Sequence, residues 1–187
     1  PAGPADELFT LDQAAAHSHV GQAARLATQG PQFAHGLLAQ DPSLALTPTF
    51  APTFAGGGIN AVEASPDGTK LFVGGTFNTV GGVTHRKIVS LNPTTGAPVA
   101  SFTGSTNGLV NAIAVSDTRV FIGGKFTTVN GAPMVGLASL DSTTGATDTG
   151  FNNQLSGGIG PNGALTVQQL KLTHDNAKLL VVHTARK

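Results

Sequence analysis

The feature that most constrains this chain is that it repeats itself. Residues 69–102 (TKLFVGGTFNTVGGVTHRKIVSLNPTTGAPVASF) align without a gap on residues 118–151 (TRVFIGGKFTTVNGAPMVGLASLDSTTGATDTGF) at an offset of 49, with 15 of 34 positions identical. The identities include Gly74/Gly123, Gly75/Gly124, Phe77/Phe126, Val80/Val129, Gly82/Gly131, Leu91/Leu140 and Gly96/Gly145. These are turn glycines and core residues, which are what a repeated backbone template preserves. Residues 59–65 (INAVEAS) match 110–116 (VNAIAVS), and residues 167–184 follow 59–76 at an offset of 108. The chain therefore divides into two full units, 54–101 and 102–150, and a partial third, 151–187, with an insertion at 157–164.

Each unit holds four short β-type runs punctuated by turn chemistry, in the first unit 59–65, 70–77, 86–91 and 98–102. Ser65-Pro66-Asp67-Gly68 suits a tight hairpin, because proline presets φ and glycine accepts a positive φ. Gly81-Gly82 and Asn130-Gly131 fall at equivalent places and predict a second hairpin turn. Asn92 to Gly96 and Asp141 to Gly145 predict a third, in which an Asn or Asp side chain bonds the backbone ahead. Four antiparallel strands in about 50 residues is the size of a propeller blade. Gly74-Gly75 and Gly123-Gly124 lie inside the second run, where glycine weakens a strand and marks close approach of another backbone, here a neighbouring unit. Phe77 and Phe126 are expected to plug the core between units.

The pattern GG-x-F-x-x-V-x-G, followed by L-[ND]-x-x-T-G-x-x-x-x-x-F, resembles the repeat of the bacterial delta-60-type β-propeller proteins, frequent among secreted and cell-surface actinobacterial proteins. The resemblance spans residues 54–184 and implies an all-β propeller and an extracellular or cell-surface setting; it implies no common reaction and supplies no catalytic residues. The third unit departs from the pattern, with Val182-His183 where the others carry Gly-Gly. A closed propeller has about four to eight blades, so two and a half units are expected to be a fragment of a longer chain or an incomplete, open-edged ring able to self-associate.

Residues 1–53 differ in kind. Thr10-Leu11-Asp12-Gln13 fits a capping box, Phe9 is placed to staple onto Ala14, and the run to Gln29 is rich in helix formers before Gly30-Pro31. A helix over 11–29 is expected, then a linker marked by Pro42, Pro48 and Pro52. No basic, apolar signal sequence is visible, and no run approaches the roughly 20 apolar residues of a membrane-spanning helix. The chain starts at Pro1 without an initiator Met, consistent with a removed leader or an internal starting point.

Composition narrows function. Ten Lys and Arg balance ten Asp and Glu, so no global field draws the protein to nucleic acid or an anionic membrane. With no cysteine there is no disulfide framework, thiolate metal site or cysteine nucleophile. Of the six histidines, His17 and His19 would point about 200° apart on a helix and so do not chelate one ion. His35, His85 and His174 have no supporting spacing either, and no metal or other cofactor is expected. Asp67, Asn92 and Asp141 each stand alone in a turn, which fits Asx turns rather than calcium loops. No G-x-S-x-G elbow, Walker loop or dinucleotide fingerprint is present, and no catalytic residue is assigned. Gly56-Gly57-Gly58 precedes a strand and serves as a linker between units. The ligand-binding candidates are His183, which stands where other units carry a packed glycine, and Arg186 beside Lys187. The expected function is a non-enzymatic binding or scaffold module contacting a glycan or protein; the alternative is part of an extracellular hydrolase or lyase whose active site lies outside these residues.

Overall fold

The computed structural model describes residues 50–151, 155 and 165–184. The expected helix over 11–29, the linker prolines at 42 and 48, the insertion at 157–164 and Arg186 and Lys187 lie outside them. Within the described residues the protein is all-β. The first unit contains β1 (Phe54–Ala55), β2 (Ile59–Ala64), β3 (Leu71–Gly75), β4 (Thr79–Val80), β5 (Val83–Thr84) and β6 (Ile88–Leu91). The second contains β7 (Leu109–Val115), β8 (Arg119–Lys125), β9 (Thr128–Val129), β10 (Ala132–Pro133) and β11 (Leu137–Asp141). A last hairpin is formed by β12 (Val167–Leu172) and β13 (Leu179–His183). The two larger sheets are antiparallel meanders, β2-β3-β6 and β7-β8-β11, and among the described residues no sheet closes on itself.

The turns form where glycine and Asx chemistry place them. Gly81 and Gly82 have φ of 59° and 80°, and Asn130 and Gly131 have 50° and 81°, the doubly left-handed geometry of a two-residue hairpin turn. Asn92 Oδ1 accepts the N–H of Thr94 and Thr95, and Asp141 Oδ1 that of Thr143 and Thr144, so both are Asx turns. The expected second hairpin, however, is not a simple extension of β3 and β6. The strands break at Thr76 and at Lys87, which adopts a φ of 70°, and the tip β4-β5 turns away to pair with β1.

The fourth run is a correction. Residues 98–102 do not form a strand: Pro98 makes one isolated bridge to Leu91, and Thr147 makes the equivalent one to Leu140. After Val99 N donates to Ser90 O, the chain curls into a turn in which Phe102 N donates to Val99 O. The sheets therefore have three strands, with a bridged tail in place of the fourth.

That tail carries the packing between sheets. Phe102 is buried and meets Phe72 edge-on at 5.4 Å, within a core shared with Ile88, Val110, Ile113, Val120, Ile122 and Leu140 from both units. Phe50 and Phe54 cover the other face of the first sheet, against Leu71, Val73, Val89 and Leu91, and Phe54 meets Phe77 at 4.9 Å. Of the paired strand glycines, Gly74 and Gly123 have the reason expected of them, whereas Gly75 and Gly124 are crowded by backbone within their own unit, at Gly58 O and Leu109 O. A Cβ on Gly74 would lie 2.6 Å from Val110 Cγ1, and one on Gly123 would lie 2.4 Å from Val167 Cγ1. The neighbouring sheet rests directly on these backbones.

The first β-turn titrates. Asp67 accepts from the Ser65 hydroxyl and from the N–H and hydroxyl of Thr69, which holds its pKa down to about 2. Asp141 and Asp175 are also held below the ordinary value, Asp141 chiefly by the N–H groups of Thr144 and Thr143 and Asp175 chiefly by the Thr173 hydroxyl. A carboxylate whose folded pKa is depressed stabilises the fold above its unfolded value of 3.8, and that contribution is lost as pH falls through the folded value. The urea midpoint is accordingly expected to drop between about pH 4.5 and about pH 2.5, with a shallower drop in Asp67→Asn. An equal slope in the variant would show that the Asp67 hydrogen bonds do not hold in solution.

Candidate functional site

The three hairpins share a register irregularity. Ile59 pairs with Gly75 and Ala61 with Gly74; Val110 with Gly124 and Ala112 with Gly123; Val167 with His183 and Gln169 with Val182. One residue is therefore extra in the first strand of each hairpin: Asn60, Asn111 and Gln168. A bulge bends the strand and re-aims its side chain, and here it turns the asparagines toward the next sheet. Asn60 Nδ2 donates to Val110 O at 3.1 Å and to Asn111 Oδ1 at 3.3 Å, and Asn111 Nδ2 donates to Val167 O at 3.1 Å. This ladder fastens β2 to β7 and β7 to β12.

The ladder joins β2, β7 and β12, and a cleft of about 460 Å³ lies across them, lined by Glu63, Ala114, Lys171, His174 and Asn176 among others. Glu63, Ala114 and Lys171 occupy equivalent positions of the repeat, at offsets of 51 and 108. One cleft thus receives a carboxyl, a methyl and an ammonium from the same place on three successive strands. Crowding against the protein raises the Glu63 pKa above its ordinary value, and the Lys171 charge partly offsets this. The cleft's far wall is the β12–β13 turn. There the Thr173 hydroxyl donates to Asp175, and Asn176, at a φ of 55°, takes the role that Gly68 has in the first unit. The volume falls in the range of about 300–1,000 Å³ typical of small-ligand sites. A raised carboxyl, an ammonium and an imidazole on facing walls can donate to and accept from hydroxyl and amide groups.

The residue singled out from sequence lies elsewhere. His183 is exposed near the end of β13, opposite Val167, and does not line this cleft. Its neighbour Val182 is 50% exposed and Leu180 56% exposed, so the face that bears Gly74 or Gly123 in the other units lies open here. No group of three or more metal-ligating side chains occurs among the described residues. Glu63 and Lys171 escaped the sequence reading because each is an ordinary charged residue on its own. The signal was positional: charges placed on a template position that is alanine in the unit between them. Compared with known proteins, the chain matches no family model, and no curated protein is significantly similar to it.

Proposed function

We propose that the chain is a non-enzymatic binding or scaffold module of a secreted or cell-surface protein, that its units are successive β-propeller blades, and that the cleft across β2, β7 and β12 receives a glycan or a protein segment. The observation that carries the reading is the convergence of Glu63, Ala114 and Lys171, equivalent positions of three units, on one cleft. A repeated scaffold that keeps its backbone and varies the side chains at one radial position builds a recognition surface. The blade reading is supported by the sequence period and by the stacking of β7 and β12 on the sheet before each. A second reading, a hydrolase or lyase, is favoured by the place of the exposed Glu63 carboxyl in the cleft, where crowding raises its pKa above the ordinary value, the direction that general acid work requires.

The test is saturation-transfer NMR of the full chain with purified neutral, amino and acidic oligosaccharides and with casein-derived peptides, followed by chromatography of the recovered probes. At least one class is expected to bind and to be recovered intact, with binding weakened about tenfold or more in a Glu63→Gln, Lys171→Met double variant, the loss of two charge-assisted hydrogen bonds. Recovery of cleaved probe would favour the enzyme, and wild-type binding by the double variant would remove the cleft as the site.

A further inference from the structure

A second concavity lies where the chain of the first unit returns from the β4-β5 tip. It encloses about 320 Å³ between Thr84, His85 and Arg86 on one wall and Thr103, Gly104 and Ser105 on the other, with Phe102 beneath. We infer that this pocket binds an oxyanion carried on a hydroxylated ring, a uronate or a sulfated sugar residue, through Arg86. This site is independent of the cleft proposed above.

The repeat supplies an internal comparison. At the offset of 49, Thr84-His85-Arg86-Lys87 corresponds to Pro133-Met134-Val135-Gly136. The same stretch of template is apolar in one unit and cationic and polar in the other. The backbone is the same in both, Gly136 with a φ of 71° and Lys87 with a φ of 70°, so the first unit holds a side chain in a left-handed conformation that its counterpart gives to glycine. Such a conformation persists only where the surroundings enforce it. Lys87 Nζ donates to Thr76 O at 2.8 Å and to Asn78 Oδ1 at 2.7 Å, which locks the wall from behind.

Both walls are held rigidly. His85 N donates to Asn78 O, Lys87 N to Phe77 O and Thr106 N to Arg86 O. Opposite, Thr103 N donates to Thr144 O and Ser105 N to Asn130 Oδ1. The Arg86 side chain, in contrast, makes no hydrogen bond or ion pair among the described residues, where the salt bridge present is Arg119 with Asp148. An exposed guanidinium at the mouth of a preorganised pocket is matched in geometry to a carboxylate or sulfate, which it takes with two parallel hydrogen bonds. Thr84, Thr103 and Ser105 line the same pocket; the Thr103 hydroxyl donates to Thr144 O and the Ser105 hydroxyl to Asn130 Oδ1, each at 3.3 Å, so their oxygens keep lone pairs to accept from the hydroxyls of a ligand. Burial pushes the His85 pKa down, so at neutral pH the ring is uncharged and offers one donor and one acceptor. The volume, near the lower bound for small-ligand sites, fits a single ring.

The experiment titrates the ¹⁵N-labelled full chain at neutral pH and low salt with glucuronate, glucose 6-sulfate, glucose and sodium sulfate, following amide shifts. The acidic sugars are expected to move the amides of residues 84–86 and 103–105, glucose to bind at least tenfold more weakly, and Arg86→Met to weaken the acidic sugars at least tenfold without changing the melting temperature. Preference between the two acidic sugars tells uronate from sulfate. Arg86→Lys, which retains the charge and loses the paired geometry, is expected to fall between and serves if Arg86→Met is unstable. Equal binding by wild type and Arg86 variants, shifts confined to the Glu63 cleft, no shifts with either acidic sugar, or sodium sulfate binding as tightly as glucose 6-sulfate would each overturn the proposal.

Discussion

Gly124→Ala is expected to cost about 3 kcal/mol or more, the top of the range for forcing atoms into a packed interior. The new Cβ would sit 2.1 Å from Leu109 O and 3.0 Å from Val110 Cα. Both atoms belong to backbone, which cannot rotate aside as a side chain would. Moving them means moving β7, whose bulge carries the Asn111 bond to β12 and accepts the Asn60 bond from β2. A loss of this size is a large fraction of the roughly 5–15 kcal/mol that holds a typical domain folded. Gly131→Ala provides the control. Its Cβ would meet nothing within 4 Å, so only the φ of 81° opposes it, at about 1–2 kcal/mol. Urea midpoints of the two variants measure the difference; near-equality would mean that β7 and β8 are not as close in solution as the glycine implies.

Phe102→Ala is expected to cost about 3–5 kcal/mol, as truncation of a buried phenylalanine usually does, with about 0.5–1.5 kcal/mol of that in the edge-on contact with Phe72. Phe102 lies between two sheets, so its loss opens a cavity that neither sheet can fill alone. Phe151 makes the equivalent pair with Phe121 at 5.7 Å, but it is only half-buried, and Phe151→Ala is expected to cost clearly less. Thermal or urea unfolding of both variants reads this ordering. Equal costs would show that the tail at 98–102 does not cement the sheets as described.

Legibility followed range. The turns were readable because Gly81-Gly82, Asn130-Gly131, Asn92 and Asp141 carry their own conformational instructions within a few residues. The repeat also identified Gly74 and Gly123 as contact points before any neighbour was known, since glycine inside a strand has few other causes. The fourth strand was misread because the run 98–102 is cut to one bridge by the turn that Phe102 N closes on Val99 O, a turn repeated where Phe151 N donates to Asp148 O. His183 drew notice as a departure from the template, but the cleft formed around Glu63 and Lys171.

The sequence by itself determined the period of the units, their turns, their antiparallel strands and which glycines must be approached closely, because each of these is set by local backbone chemistry or by self-comparison. Only the tertiary structure decided that Asn60 and Asn111 form a ladder between sheets, that Glu63, Ala114 and Lys171 share a cleft, and that Arg86 faces Thr103 and Ser105 across a pocket. Those juxtapositions join residues 17 to 108 positions apart, and they depend on the one-residue bulge and on the stacking of β7 and β12 against the sheet before each. Side-chain direction in a strand reverses with every residue, so a single extra residue, invisible in composition, decides what each face presents.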